Sequence, residues 1–302
     1  MAGKASCPLS RLKQVHPRES ASPNVQLMKG AETFASEISN PVPFALVDAF
    51  GEGPFTGNPA GVCLMNGTAS EGWMAAVAAE IGASETAFLR RAGDGWSLRW
   101  FTPEVEVDLC GHATLAAAHL LIGSGETVRF ETRSGLLLAH RGSDGRLTLD
   151  FPRLDVTEIR ADERVAAALG EEPIWLGRTA DDLLCVLESP DAVERATPRM
   201  DSVTQLARRG LAITSEGGRD ADITSRFFAP AAGVPEDPVT GSVHCALGPL
   251  WSERLGRPRL RARQASPRGG VLDVLVTRGG RVELTGQATT VATGVMTGPR
   301  NE

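Results

Sequence analysis

Three prolines, Pro230, Pro235 and Pro238, fall within nine residues inside the stretch from Phe228 to Ser242. Proline has no backbone N–H and a fixed φ, which excludes a helix interior or a central strand over 230–238. From Val243 the apolar positions are Val243, Ala246, Leu247, Leu250, Trp251 and Leu255. Steps of three and four predict a helix with one buried stripe. A stiff loop therefore hands Thr240, Gly241 and Ser242 to a helix N-terminus, where the first N–H groups have no intrahelical partner. Such an end carries partial positive charge and can hold a carboxylate or phosphate. Asp237 stands at its rim. The plainer reading is that Ser242 or Thr240 merely caps the helix.

At 302 residues the chain has room for two domains of ordinary size or one large one. A net charge of −6 argues against a surface built for nucleic acid. No apolar run reaches the roughly 18–20 residues that span a bilayer; the longest candidate, 113–122, is short and is broken by His119. Cys7, Cys63, Cys110, Cys185 and Cys245 are odd in number and lack the close spacing of a disulfide framework or a zinc site. A reducing, cytoplasmic compartment fits them. Residues 1–42 lack periodicity and read as a flexible extension. Their early Lys4, Arg11, Lys13 and Arg18, with no acid before Glu19, faintly echo an organelle transit peptide.

Strands are expected at 44–50, 62–65, 84–89, 97–102, 128–132, 135–139 and 146–151, with a helix over 71–81 closed by Gly82. A helix of small residues follows Asp108-Leu109-Cys110-Gly111-His112. The second half repeats the style, with helices at 163–169 and 200–208 and strands at 175–177, 182–187, 211–214, 223–228, 260–264, 270–276 and 281–286. The basic run 257–268 reads as a solvated strand face. Each half places an acid, Asp108 or Asp237, a short turn before a glycine at a helix start. Two such units flanked by strands suggest paired domains whose helix tips face a shared cleft. From residues alone this is an α+β protein with an internal repeat.

Five pieces then stand out: Gly57-Asn58-Pro59-Ala60-Gly61, Ser84-Glu85-Thr86-Ala87-Phe88, Cys110-Gly111-His112-Ala113-Thr114, Phe227-Phe228-Ala229-Pro230, and Glu236-Asp237-Pro238-Val239-Thr240-Gly241-Ser242. In this order, over about residues 43–296, they resemble the PhzF-like family, named after a phenazine-biosynthesis isomerase and related in fold to diaminopimelate epimerase. The resemblance implies two similar domains, each a curved, mostly antiparallel, barrel-like sheet wrapped around a central helix. It places the domains at 43–155, joined by the tail 288–302, and at 156–287. It also implies a cofactor-independent isomerase acting on a small carboxylate-bearing substrate, and by family analogy a homodimer.

On the same resemblance Glu85 is the acid/base carboxylate, with His112 and Asp237 as polar neighbours that assist proton delivery. Gly111, Gly241 and Ser242 would bind a substrate carboxylate, and Asn58 would bind at the cleft edge. The residue types suit that chemistry, which needs no metal or organic cofactor. A buried carboxylate can take and return a proton, oriented N–H groups stabilise an enolate-like intermediate, and histidine can switch charge near neutrality. Each has a duller rival: Glu85 as an exposed strand-end acid, His112 as a helix-end residue, Asn58 as a turn former. His244 reads as packing, and His119 and His140 as structural.

The epimerase relatives use two cysteines, one in each half. Here Cys110 holds the first place, but Asp237-Pro238-Val239 offers no second thiol before Gly241, and Cys245 lies a turn too late. A two-thiol racemase is therefore not expected. Cys110 at a helix N-terminus could still be a reactive thiol of lowered pKa. A Cys110-dependent epimerase-like enzyme and a non-catalytic binding protein are the alternative functions.

Overall fold

The computed structural model describes residues 38–299. The expected extension 1–42 therefore lies mostly outside the described residues, as does Cys7. Among the described residues no helix is long and apolar enough to cross a membrane.

The first half contains β1 (Pro41–Ala49), β2 (Asn58–Met65), α1 (Glu71–Ile81), β3 (Glu85–Ala92), β4 (Gly95–Phe101) and β5 (Glu106–Val107). It continues with α2 (Gly111–Leu121), β6 (Thr127–Thr132), β7 (Gly135–Arg141) and β8 (Leu147–Pro152). Then come β9 (Thr157–Glu158), α3 (Glu163–Leu169), β10 (Trp175–Arg178), β11 (Asp182–Val186), α4 (Pro190–Arg195), α5 (Met200–Leu206) and β12 (Gly210–Glu216). The chain ends with β13 (Ile223–Ala229), β14 (Val234–Asp237), α6 (Gly241–Leu255), β15 (Arg259–Gln264), β16 (Gly270–Val276), β17 (Arg281–Gly286) and β18 (Ala288–Thr297).

The strand pairings repeat. In the first half β1–β2 is antiparallel, β2–β3 parallel, β3–β4 antiparallel, β4–β6 parallel, and β6–β7 and β7–β8 antiparallel. The same alternation runs through β10–β11, β11–β12, β12–β13, β13–β15, β15–β16 and β16–β17. The expected mostly antiparallel character is present. The two curved sheets implied by the resemblance are, however, halves of one continuous mixed sheet, because β8 pairs antiparallel with β17 from Leu147–Gly286 to Pro152–Arg281. Each half would otherwise end in an open row of N–H and C=O groups at that strand, and the two rows satisfy each other.

One helix runs through each half. In α2 nine of the residues Gly111–Leu121 are buried, and alanines occupy Ala113 and Ala116 to Ala118. A helix apolar all round is buried all round, and its short side chains let β1, β2, β3 and β8 approach it. Helix α6 packs in the same way on β15, β16 and β17. Pro249 inside α6 cannot donate to the carbonyl of Cys245; that carbonyl accepts the N–H of Leu154 instead, tying the end of β8 to the helix.

Local patterns placed most elements within a residue or two, with clear exceptions. Strand β18 lacks alternation, carries mostly intermediate burial, and owes its strand form to pairing with β1. Helix α4 is too short to show a period, although Ser189 caps it and Pro190 opens it. Within the proline-rich loop, Pro230–Ala232 forms a single 3-10 turn and Val234–Asp237 an edge strand on β13, as missing donors require.

The loop before β2 depends on Gly57, whose φ is +76° and whose N–H donates to Gly269 O at 2.7 Å. A Cβ there would lie 2.3 Å from Ala49 O. Gly57→Ala should therefore lower stability by about 2 kcal/mol or more, read from the urea midpoint. Gly53→Ala, whose built Cβ meets nothing within 4 Å, should move it by no more than about 0.5 kcal/mol.

Candidate active site

The sharp turn at Gly57 makes Asn58 the first residue of β2, with no solvent exposure. Its Nδ2 donates to Asp237 Oδ1 at 2.7 Å and to Val239 O at 2.9 Å, while its Oδ1 accepts from Ser84 Oγ at 3.1 Å. A carbonyl only accepts, so Val239 settles which end of the amide is nitrogen. The same Nδ2 faces His112 Nδ1 at 3.2 Å. Both hydrogens of that amide are already given to Asp237 and Val239, and an amide nitrogen cannot accept, so a proton on Nδ1 would find no acceptor in Asn58. With Cys110 Sγ 3.5 Å from the same Nδ1, the ring proton is assigned to Nε2. That atom has no hydrogen-bond partner among the described residues and lies 3.4 Å from Glu85 Oε2.

Asn58 is thus a buried strut joining the two halves rather than a cleft-edge binding group. His112, expected to switch charge near neutrality, is held neutral: burial lowers its pKa to about 3.

Glu85 opens β3, beside Ala60 of β2. Burial, then the charge of Asp237, raises its pKa to about 8, against smaller lowering effects from Arg209 and Cys110. Asp237 is raised to about 6 by burial, opposed by hydrogen bonds from Thr240 and Asn58 and by the charge of Arg209. The exposed strand-end reading of Glu85 does not hold. The Cys110 thiol, whose pKa a helix tip was expected to lower, is instead pushed well up by burial and the adjacent Glu85. Desolvation outweighs the helix dipole there.

Neither Thr240 nor Ser242 caps α6. Thr240 directs its hydroxyl to Asp237 Oδ2, and Ser242 Oγ accepts from Arg209 Nη1 at 2.8 Å. His244 is wholly buried; its Nδ1–H donates to Thr240 O at 2.8 Å and its Nε2 faces Ser225 Oγ at 3.3 Å, a packing role. The supposed equivalence of Asp108 and Asp237 fails, since Asp108 is exposed and lies outside the cavity lining, its carbonyl accepting from Ser134 Oγ.

The two helix tips meet. A methyl built on Gly111 would lie 3.4 Å from the Gly241 Cα, and one built on Gly241 would lie 3.5 Å from the Gly111 Cα. Around them is a cavity of about 90 Å³ lined by Glu85, Cys110, Gly111, His112, Arg209, Asp237, Thr240, Gly241 and Ser242, among others. Of the seven site residues named from sequence, all but Asn58 line it. A larger hollow of about 910 Å³, between the start of β1 and residues 65–73, has no titratable residue among the described residues that line it.

Ligand atoms of Glu85, Cys110 and His112 lie within 4.8 Å of one another. The set suits a metal poorly as arranged, because Asn58 leaves the proton, not the lone pair, of His112 on the cavity side and the thiol is held protonated.

Two further residues escaped the sequence reading. Gln264, inside the basic run, is wholly buried; its Nε2 donates to Asp237 O at 2.7 Å and its Oε1 accepts from Thr240 N at 2.9 Å. The run is not a uniform solvated face, and the alternation Leu260, Ala262, Gln264 against Arg259, Arg261, Arg263 was the available signal. Arg209 precedes β12, and no local pattern separates it from Arg208.

Comparison with known proteins identifies the family and the fold. The sequence profile of phenazine biosynthesis-like proteins (PhzC-PhzF) matches residues 47–294. An uncharacterized isomerase of Pseudomonas aeruginosa is 46% identical over 255 residues, covering 83% of this chain and 97% of its own. The crystal structure of a PhzF-family phenazine biosynthesis protein of Enterococcus faecalis superposes with a TM-score of 0.80 at 38% identity, over 84% of this chain and 98% of that one. A predicted epimerase of Pseudomonas aeruginosa, 23% identical, shares the fold with a TM-score of 0.65 over 84% of this chain and 98% of its own. With the profile spanning most of its length, the chain belongs to the phenazine biosynthesis-like (PhzC-PhzF) family.

Proposed function

We propose that the protein is a cofactor-independent isomerase that moves a proton on a small carboxylate-bearing metabolite, with Glu85 carrying the proton. The cavity would then form the cleft between two domains, residues 43–155 with 288–302 and residues 156–287. The observation that carries the reading is a carboxyl of pKa about 8 in a cavity floored by two uncapped helix tips. A substrate carboxylate placed at the tips would meet the free N–H groups and partial positive charge of both helices. Ionised Glu85 would take a proton from a neighbouring carbon, leaving the bond's electron pair as an enolate stabilised by the same donors. The Glu85 carboxyl, exchanging its proton with solvent, would then deliver a proton to a second carbon of the unsaturated acid, shifting the double bond.

Each neighbour supports that cycle. Asp237 makes Glu85 a stronger base by its charge, the second-largest cause of the raised pKa. Neutral His112 offers its Nε2–H toward the carboxylate and the substrate, and stays a donor throughout the neutral range. The relatives named isomerases, at 46% and 43% identity, support the reaction class.

Incubation with a library of small carboxylic acids in D₂O should give mass-shifted product with the wild-type protein. Glu85→Gln should cut that exchange by about 10³-fold or more while acid binding persists; unchanged exchange would refute the role. Because the ionised form starts the cycle, the exchange rate should climb with pH and level off above about 8. A profile already flat at pH 6 would contradict it.

Stability should move the opposite way. The native pKa of Glu85, about 8, lies above the ordinary 4.5, so the folded state holds a proton that the unfolded state loses in between. Native stability is thereby drained as pH rises from 4.5 to about 8. The melting temperature of Glu85→Gln should accordingly exceed that of wild type by a margin that grows across this range and is greatest above it.

A further inference from the structure

Arg209 is tied into the cavity by more than charge balance. Its Nε donates to Asp182 Oδ1 at 2.8 Å and its Nη2 to Asp182 Oδ2, so the carboxylate of Asp182, 1% exposed, grips one edge of the guanidinium. Its Nη1 donates to Ser242 Oγ at 2.8 Å, and the plane lies over the Phe227 ring, 5.3 Å from the centroid. A plain ion pair between neighbouring strands would need only the Asp182 edge. Here the third bond reaches the tip of α6, one residue beyond Gly241.

Guanidinium carries five N–H donors, and these bonds use three. One N–H remains on each terminal nitrogen without a protein acceptor among the described residues, on a side chain that is 35% exposed and lines the cavity. Because Ser242 Oγ already accepts from Arg209, its own O–H is left to donate elsewhere. Two N–H groups and one O–H are thus left on side chains that line the cavity beside the glycine tips.

We propose that Arg209, with Ser242, is a second acid-binding subsite, and that the substrate is a dicarboxylate whose second carboxylate it takes. This rests on the isomerase reading for the first carboxylate and adds the substrate class. A planar fork held on a fixed edge suits a carboxylate; a lysine could not hold Asp182, Ser242 and a ligand together.

Matched probes test it: succinate against butyrate and glutarate against valerate, measured by calorimetry at pH 7 on the full chain. Each dicarboxylate should bind wild type about ten-fold tighter or more than its partner, the scale of a charge-assisted hydrogen bond. Arg209→Met alone would strand a buried Asp182 charge, so the informative variant is the double change Arg209→Met with Asp182→Asn. In it the ratio should collapse to within about two-fold while monocarboxylate binding persists. Arg209→Lys, which keeps the charge and the fold, should also lose most of the preference. Equal binding of the paired acids to wild type, no binding of either dicarboxylate at millimolar concentration, or a preference that survives in both variants would overturn the proposal. Solvent exchange dependent on Glu85 would stand in any of those cases. Loss of that exchange with the preference intact would sink the proton transfer and leave the subsite.

Discussion

Two helix N-termini in van der Waals contact are an electrostatic liability, because each carries partial positive charge and uncapped N–H groups. Here they meet at Gly111 and Gly241, where a methyl added to either would already touch the other's Cα. The junction tolerates this because acidic groups gather round it, Asp237 being the more readily ionised of them. Asp237 and Glu85 line the same cavity, and the side chains that could have capped the tips are turned elsewhere. The repeated order of strand pairings has the same centre: β8 meets β17 in the antiparallel register that brings the two halves together.

Asn58 is the part that makes this centre specific. One fully buried amide contacts Asp237 and Val239 from the second half and His112 and Ser84 from the first. It sets the tautomer of His112 and restrains the Asp237 carboxylate with a single side chain. The tight turn at Gly57 exists to deliver it. Since every polar atom of the amide is committed, replacement by a residue of similar size but different donor pattern would leave buried groups unpaired, which costs more than the bond itself contributes.

The acids illustrate what burial does when it is incomplete in its compensation. Asp182 is buried as well, but Arg209 grips it with two hydrogen bonds. Glu85 has no such partner, and its neutral histidine neighbour supplies no charge, so it absorbs the desolvation as a raised pKa. A site held this way gives up folding free energy at alkaline pH in order to keep a base of useful strength.

What the sequence determined by itself is the local grammar. Proline positions kept 230–238 out of a helix interior, glycines at 111 and 241 marked the two tips, a run of small residues marked α2, and apolar spacing located α1, α6 and most strands, because these depend on residues a few places apart. The neighbourhood of Glu85 and Asp237 was legible only because short pieces resembled a known family. What tertiary structure alone decided is the state of those groups and their company. Asn58 reaches His112 across 54 residues and Asp237 across 179, Arg209 enters the cavity from an unmarked turn, and β18 is a strand only because β1 is beside it. The physical reason is that desolvation, hydrogen-bond direction and strand pairing are properties of whichever distant segments pack together, and no local pattern of residues carries that information.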